Sequence, residues 1–200
     1  MHYESDSLYH VYNRGNNGEQ LFFEPAHYHH FLRLFRQHMA PFVHVVAYCL
    51  MPNHFHFILL TTAEGTAADE TTSSVRQPMV RGIAKLLSAY SQGLNQQLGR
   101  RGALFQPKTK GKQLDSPFCE AAYPLLCFQY MHQNPVRAGL AGELADWPYS
   151  SYRDYANLRK GTLCDLSLGR KVLGLPEAVS DFVVESLGMV DPALVRGRWV

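Results

Sequence analysis

Long apolar runs are missing from the 200 residues, and none reaches the length that crosses a bilayer. The first residues, Met1-His2-Tyr3-Glu4-Ser5-Asp6, lack the basic and apolar regions of a signal peptide. These two absences lead us to expect a cytoplasmic protein with no membrane partner. Cysteine is scarce: Cys49, Cys119, Cys127 and Cys164 contain no C-x-x-C pair, so neither a zinc knuckle nor a disulfide framework is signalled. Cys119 and Cys127 sit in apolar surroundings and are expected as core thiols. Charged residues make up only 18% against 46% hydrophobic, and no internal repeat is evident, which describes one globular core with room for a small appendage.

The most informative absence is of acid. Between Thr71 and Leu114 there is no Asp or Glu, yet eight basic residues occur: Arg76, Arg81, Lys85, Arg100, Arg101, Lys108, Lys110 and Lys112. The formal net charge of the whole chain is only +2, so a basic middle is set inside an otherwise acidic protein. A field of one sign attracts polyanions, nucleic acid foremost. An ordinary solvated helix face, the plainer alternative, carries both signs.

What the chain does contain is organised around Met51-Pro52-Asn53-His54-Phe55-His56-Phe57-Ile58-Leu59-Leu60. This stretch follows the β-branched and aromatic run Phe42 to Leu50, and Pro52-Asn53 between them reads as a turn, giving a hairpin over residues 42 to 62. The two-residue period of a strand sends His54 and His56 to one face and Phe55 and Phe57 to the other. Two imidazoles on one face supply part of a divalent-metal site and need a third ligand. A bare His-x-His is equally compatible with one exposed histidine and one satisfied in the core.

Around the hairpin, residues 8 to 14 read as a first strand ending at the turn cluster Gly15-Asn16-Asn17-Gly18. Helical spacing of Tyr28, Phe31, Leu32, Leu34 and Phe35 predicts a helix from Pro25 to Met39. Its His27, His29, His30 and His38 are expected at the surface or an interface. Residues 61 to 77, short and rich in Thr and Ser, are expected as a mobile loop. A second helix from about Pro78 to Leu98 turns Ile83, Leu86, Leu87, Tyr90 and Leu94 inward and Arg81 and Lys85 outward. Leu104-Phe105-Gln106 and residues 109 to 114 make a broken strand carrying lysines, interrupted by Pro107 and Gly111. A third helix is expected from about Pro117 to Gln133, stopped by Asn134-Pro135. The aromatic turn Trp147 to Tyr152 follows, then amphipathic stretches at residues 163 to 173 and 178 to 187.

The first six elements fit an α+β, ferredoxin-like (RRM-like) sandwich: a four-stranded antiparallel sheet with helices on one face, the third helix near the open face or edge. Residues 1–155 are expected to form one domain and residues 156–200 a helical tail, acting either as a packing appendage or in DNA contact or closure over the site.

Tyr130 and Asn134 stand four apart, one turn above the other on one helix face. If that helix crosses the sheet face showing His54 and His56, the phenol could be a nucleophile and the carboxamide oxygen the missing ligand. Taken alone, Tyr130 is one of eleven tyrosines and Asn134-Pro135 a helix stop.

Five blocks in one order carry a resemblance: His10-Val11-Tyr12-Asn13-Arg14-Gly15, Tyr48 to His56, Gly102-Ala103-Leu104-Phe105-Gln106, Tyr130 to Gly139, and Trp147-Pro148-Tyr149-Ser150-Ser151. Together they resemble the single-tyrosine HUH transposases, especially the REP-associated tyrosine transposase branch of the IS200-like family. The resemblance implies a nucleophile at Tyr130, Mg²⁺ or Mn²⁺ bound by His54, His56 and Asn134, and nicking and strand transfer on single-stranded DNA beside hairpins through a 5′-phosphotyrosine. It implies DNA contacts from basic residues, for which Arg14, Arg81, Lys85, Arg100, Arg101, Lys108, Lys110, Lys112 and Arg137 are the candidates, in a monomer or homodimer. Pro107-Lys108-Thr109 departs from the Gly-Arg-Tyr that often follows in relatives. The competing readings are a catalytically inactive or domesticated hairpin-binding protein and, disfavoured because no carboxylate is placed as a general base near His54 and His56, a small zinc hydrolase.

Overall fold

A computed structural model describes residues 2–67 and 76–195 of the chain. In order come β1 (Leu8–Arg14), α1 (Pro25–Met39), β2 (Val43–Met51), β3 (His54–Thr61), α2 (Ala63–Thr66), α3 (Pro78–Gln97), β4 (Lys110–Gln113) and α4 (Tyr123–Arg137). The remainder holds α5 (Tyr152–Tyr155), α6 (Leu166–Leu173) and α7 (Val179–Ser186). The four strands form one antiparallel sheet in the order β2-β3-β1-β4. Apart from the one-turn α2, this is the strand-helix-strand-strand-helix-strand succession expected from the sequence.

Strand alternation builds the two faces. Phe57 stacks on Phe35 of α1 with ring centroids 4.0 Å apart, and Phe55 lies 5.2 Å from Phe31. Tyr90 of α3 meets Phe31 edge-on at 5.1 Å, closing the aromatic core beneath both helices. The helices approach closely at Gly82, where a Cβ would sit 2.5 Å from the His38 carbonyl oxygen, so any larger residue there would force them apart. On the opposite face the register aligns Arg14 with His54, Tyr12 with His56 and Lys110, and His10 with Ile58 and Lys112. Directly paired residues project to the same side. Across this second face packs α4, with Cys127, Phe128 and Met131 buried.

The aromatic turn seals the outer edge of β2. Leu50 N–H donates to the Tyr149 carbonyl and Ser151 N–H to the Tyr48 carbonyl, both at 2.9 Å, and Trp147 Nε1 donates to the Leu50 carbonyl at 3.0 Å. An edge satisfied in this way offers no template for another strand. The tail then joins the same core: Phe182 of α7 sits among Phe128, Tyr152 and Tyr155. Fully buried Gln133 of α4 donates to the Gly188 carbonyl at 2.8 Å and accepts from Val190 N–H at 3.0 Å.

Several expectations are corrected. The third helix begins at Tyr123, not near Pro117, because Pro124 has no N–H and is accommodated in a first turn, whereas a helix from 117 would place it in the interior. Asn134-Pro135 does not stop it. The helix runs on to Arg137 and closes at Gly139 (φ +68), with Gly139 N–H on the Val136 carbonyl and Leu140 N–H on the Pro135 carbonyl, the paired bonds of a Schellman motif. His27 is buried, not at the surface, with Nδ1 accepting from Phe23 N–H at 3.1 Å and Nε2 3.0 Å from Gln97 Oε1. Cys127 is a core thiol as expected, but Cys119 is only half-buried. Of the expected mobile loop, residues 68–75 lie outside the described residues. Its ends are structured: Thr61 belongs to β3, Thr62 caps α2, and buried Gln77 bonds both the N–H and the carbonyl of Tyr3.

The Gln133 bridge makes a prediction. Gln133→Ala leaves the buried Val190 N–H and the part-buried Gly188 carbonyl without their partner and should lower unfolding stability by about 2 kcal/mol in urea denaturation. A loss within roughly 0.5 kcal/mol, the range of surface substitutions, would show that the Gln133 bridge does not hold the tail.

Candidate active site

The hairpin turn places the two histidines. His54 opens β3 and His56 follows on the same face, ring centroids 4.9 Å apart and planes nearly perpendicular at 86°. His54 Nδ1 lies 2.7 Å from Asn53 Oδ1. A carboxamide oxygen can only accept, so the His54 proton sits on Nδ1 and the lone pair on Nε2. His56 Nδ1 lies 2.9 Å from Nε2 of His10, a fully buried residue of β1. Both rings are therefore engaged through Nδ1. Burial, with Arg14 nearby, pushes the His54 pKa down to about 4. Burial together with the neighbouring imidazoles His54 and His10 takes His56 well below the usual histidine range. Neutral imidazoles are the form that binds metal.

From the other side, α4 presents Tyr130 and Asn134 one turn apart. These two side chains line the same cavity of about 270 Å³ as His54 and His56, together with Tyr12, Asn13, Arg14, Gln106, Lys108, Lys110 and Val195. The four residues singled out by spacing thus meet within one chain. The Arg137 guanidinium lies over the Tyr130 ring, 5.1 Å from its centroid.

The candidate basic residues are divided. Arg14, Lys108 and Lys110 line the cavity, and Lys110 Nζ stands 5.8 Å from the Tyr12 ring centroid. Asn13 pins the ribbon that carries the lysines, its Nδ2 donating to the Gln106 carbonyl and to Thr109 Oγ1. Lys112 donates to the Tyr123 hydroxyl at 3.0 Å, at the start of α4. Arg100 pairs with Glu19 and Arg101 is exposed beside it in the turn after α3. Arg81 and Lys85 ride on α3, across the sheet from the cavity. Arg137 is half-buried and donates to the Val190 carbonyl and to Gln133 Oε1, with its guanidinium over the Tyr130 ring.

Among the described residues no three His, Cys, Asp or Glu side chains gather as a metal-binding group. A third protein donor beside the two imidazoles would be the Asn134 carboxamide oxygen. Two neutral nitrogens and one amide oxygen, in a cavity with space for waters or phosphate oxygens, make a mixed donor set that fits a divalent cation of the Mg²⁺ or Mn²⁺ kind.

Comparison with protein-family models found no match, and comparison with curated proteins found none. Among solved structures, the chain is similar in fold to a REP-associated tyrosine transposase bound to a REP hairpin. The TM-score is 0.55 at 16% sequence identity, over 84% of this chain and 93% of that one. A likeness at that identity establishes a shared fold. Among the described residues no helix is long and apolar enough to cross a membrane.

Sequence reasoning assigned no role to His10, Tyr12, Asn13, Gln106 or Val195. Period-two alternation along β1 would have put His10, Tyr12 and Arg14 on one face, but joining that face to His56 requires the β1–β3 register.

Four imidazoles carry a consequence for stability. Burial holds His54 near 4 and His10 and His132 near 3, and His56 is shifted the same way, against 6.5 for an ordinary histidine. Below 6.5 the unfolded chain binds protons that the folded one refuses, so folding stability should fall as pH drops from about 6.5 towards 4. Urea denaturation at a series of pH values checks this, and a flat profile across that window would contradict neutral burial of these rings.

Proposed function

We propose that the protein is a metal-dependent single-strand DNA endonuclease and strand transferase, acting beside DNA hairpins through a 5′-phosphotyrosine. The observation that carries this reading is the convergence of Tyr130 and Asn134 from α4 with His54 and His56 from β3 on one cavity. The fold likeness to a transposase bound to a REP hairpin supports the choice of hairpin DNA. So does the cationic rim of Arg14, Lys108 and Lys110.

In this reading the rim holds the backbone of a single strand by charge, and Tyr12 offers a half-buried ring beside it. The Tyr130 hydroxyl gives up its proton and its oxygen bonds phosphorus. The P–O3′ bond breaks, and the departing oxygen takes a proton to become a free 3′-hydroxyl. One phosphodiester bond is exchanged for another, so the linkage is kept for a later attack by a 3′-hydroxyl that releases Tyr130. Mg²⁺ or Mn²⁺, held by His54, His56 and Asn134, would supply polarisation of the phosphate and offset of its developing charge. All four residues belong to one chain, which favours action in cis. In this reading residues 1–155 make the catalytic domain and residues 156–200 its tail, of which the described segment at Gly188 and Val190 braces α4 through Gln133 and Arg137.

The test is incubation with labelled single-stranded hairpin DNA and Mn²⁺ followed by a denaturing gel. The protein should form a slowly migrating covalent band that Tyr130→Phe abolishes while hairpin affinity is kept. Affinity without any band, with either divalent ion, would leave the alternative of a hairpin-binding protein that does no chemistry. Binding itself should be salt-dependent: Lys108→Ala with Lys110→Ala should reduce the slope of log affinity against log salt by roughly 0.7 for each phosphate that is no longer neutralised. An unchanged slope would place the strand elsewhere.

A further inference from the structure

We infer that His10 is the positioning residue for His56: it accepts the His56 Nδ1 proton and so sets the tautomer in which Nε2 carries the lone pair. This deepens the metal-site reading above and rests on it. The two rings lie 2.9 Å apart from Nε2 of His10 to Nδ1 of His56, and both are buried. The residues are 46 positions apart in the chain, so the contact is made by sheet pairing and not by chain proximity.

A neutral imidazole has one proton for two nitrogens. A His56 that offers Nε2 to a cation must hold its proton on Nδ1, and the atom facing that proton is His10 Nε2. His10 then keeps its own proton on Nδ1. The partner is itself held in place: the His10 ring is stacked on Tyr12 at 4.7 Å with planes 17° apart, and it meets His56 edge to edge, with centroids 5.1 Å apart and planes within 16° of each other, as an in-plane hydrogen bond between the two rings requires. Asn53 does the corresponding work for His54 through Oδ1 at 2.7 Å. Each imidazole of the pair thus has an acceptor on its Nδ1 edge, one from the hairpin turn and one from the neighbouring strand. Acceptors behind ligating histidines fix ring orientation and raise ligand basicity, and their removal weakens metal affinity roughly 10- to 100-fold.

The experiment has two parts, neither of which reads turnover. On the unsubstituted, metal-free protein, long-range ¹H–¹⁵N correlation should report His56 protonated on Nδ1. A proton found on Nε2 would overturn the assignment, and this measurement needs no variant to fold. Mn²⁺ titration followed by electron paramagnetic resonance is then compared across variants. His10→Phe keeps a flat ring in the stack and removes the acceptor. It should weaken Mn²⁺ binding roughly 10- to 100-fold while leaving metal-free hairpin affinity unchanged, and His10→Gln, which restores an acceptor oxygen, should recover part of that affinity. Wild-type Mn²⁺ affinity in His10→Phe, with binding abolished in His54→Ala and His56→Ala, would overturn the role of His10 alone. Unchanged affinity in all three would remove the metal site and this inference together.

Discussion

Alternation along the eight residues of β3 is the constraint on which the remaining structure depends. One strand serves both faces of the sheet, Phe55 and Phe57 on the side of α1 and α3, His54 and His56 on the side of α4. A slip of one residue would exchange the two sets, placing imidazoles in an aromatic core and phenyl rings in a polar cavity. The register is fastened at the hairpin tip, where the connection from β1 to α1 bonds to the turn. Gly15 N–H donates to the Asn53 carbonyl at 2.8 Å, and Leu21 and Phe22 both donate to the Pro52 carbonyl, at 2.7 and 3.0 Å. The turn that begins β3 is therefore a tertiary junction as well as a local reversal.

The helix opposite is restrained from two sides. Its Tyr130 and Asn134 line the cavity above the sheet, while Gln133 and Arg137, one step round the helix, hold the segment at Gly188 and Val190. Arg137 belongs to both sides, since its guanidinium covers the Tyr130 ring and also bonds the Val190 carbonyl. Rotation of α4 about its axis would break interior hydrogen bonds of the tail before it moved the phenol far. Val195, a few residues beyond this anchor, reaches the cavity wall.

What could be read from the sequence follows from what is local. The opposite faces of His54 and Phe55, and the shared face of Tyr130 and Asn134, are consequences of backbone period alone, so both pairs were legible without coordinates. The order of strands and helices was legible for the same reason. The end of α4 was not, because a proline in the last turn forfeits one bond that the Schellman closure at Gly139 leaves tolerable. His27 read as a surface residue because its partner Gln97 is 70 positions away, and the bond from Arg137 to the Val190 carbonyl could not be read because Val190 is 53 positions away. His10 escaped notice because a histidine in a strand means little until the register sets it behind His56.

The two outer strands of the sheet differ in a way that bears on how a polyanion would arrive. β2 is closed off by the turn at Tyr149 to Ser151 and by Asp165, whose N–H donates to the Val45 carbonyl at 2.9 Å. β4, the opposite outer strand, has four residues and carries Lys110 and Lys112, with Lys108 just before it. Lysines on an outer strand discourage pairing with another chain, and here they also stand on the cavity side of the sheet, since Lys110 pairs with Tyr12 and Tyr12 with His56. One device serves both ends. The edge that must not aggregate is the edge whose charge leads towards His54, His56 and Tyr130. Under the proposed function, a single strand crossing β4 would meet Lys108 and Lys110 first, then Tyr12, and only then the nucleophile. α4 packs against β2 on that same face, so the approach from the opposite edge is already occupied by protein.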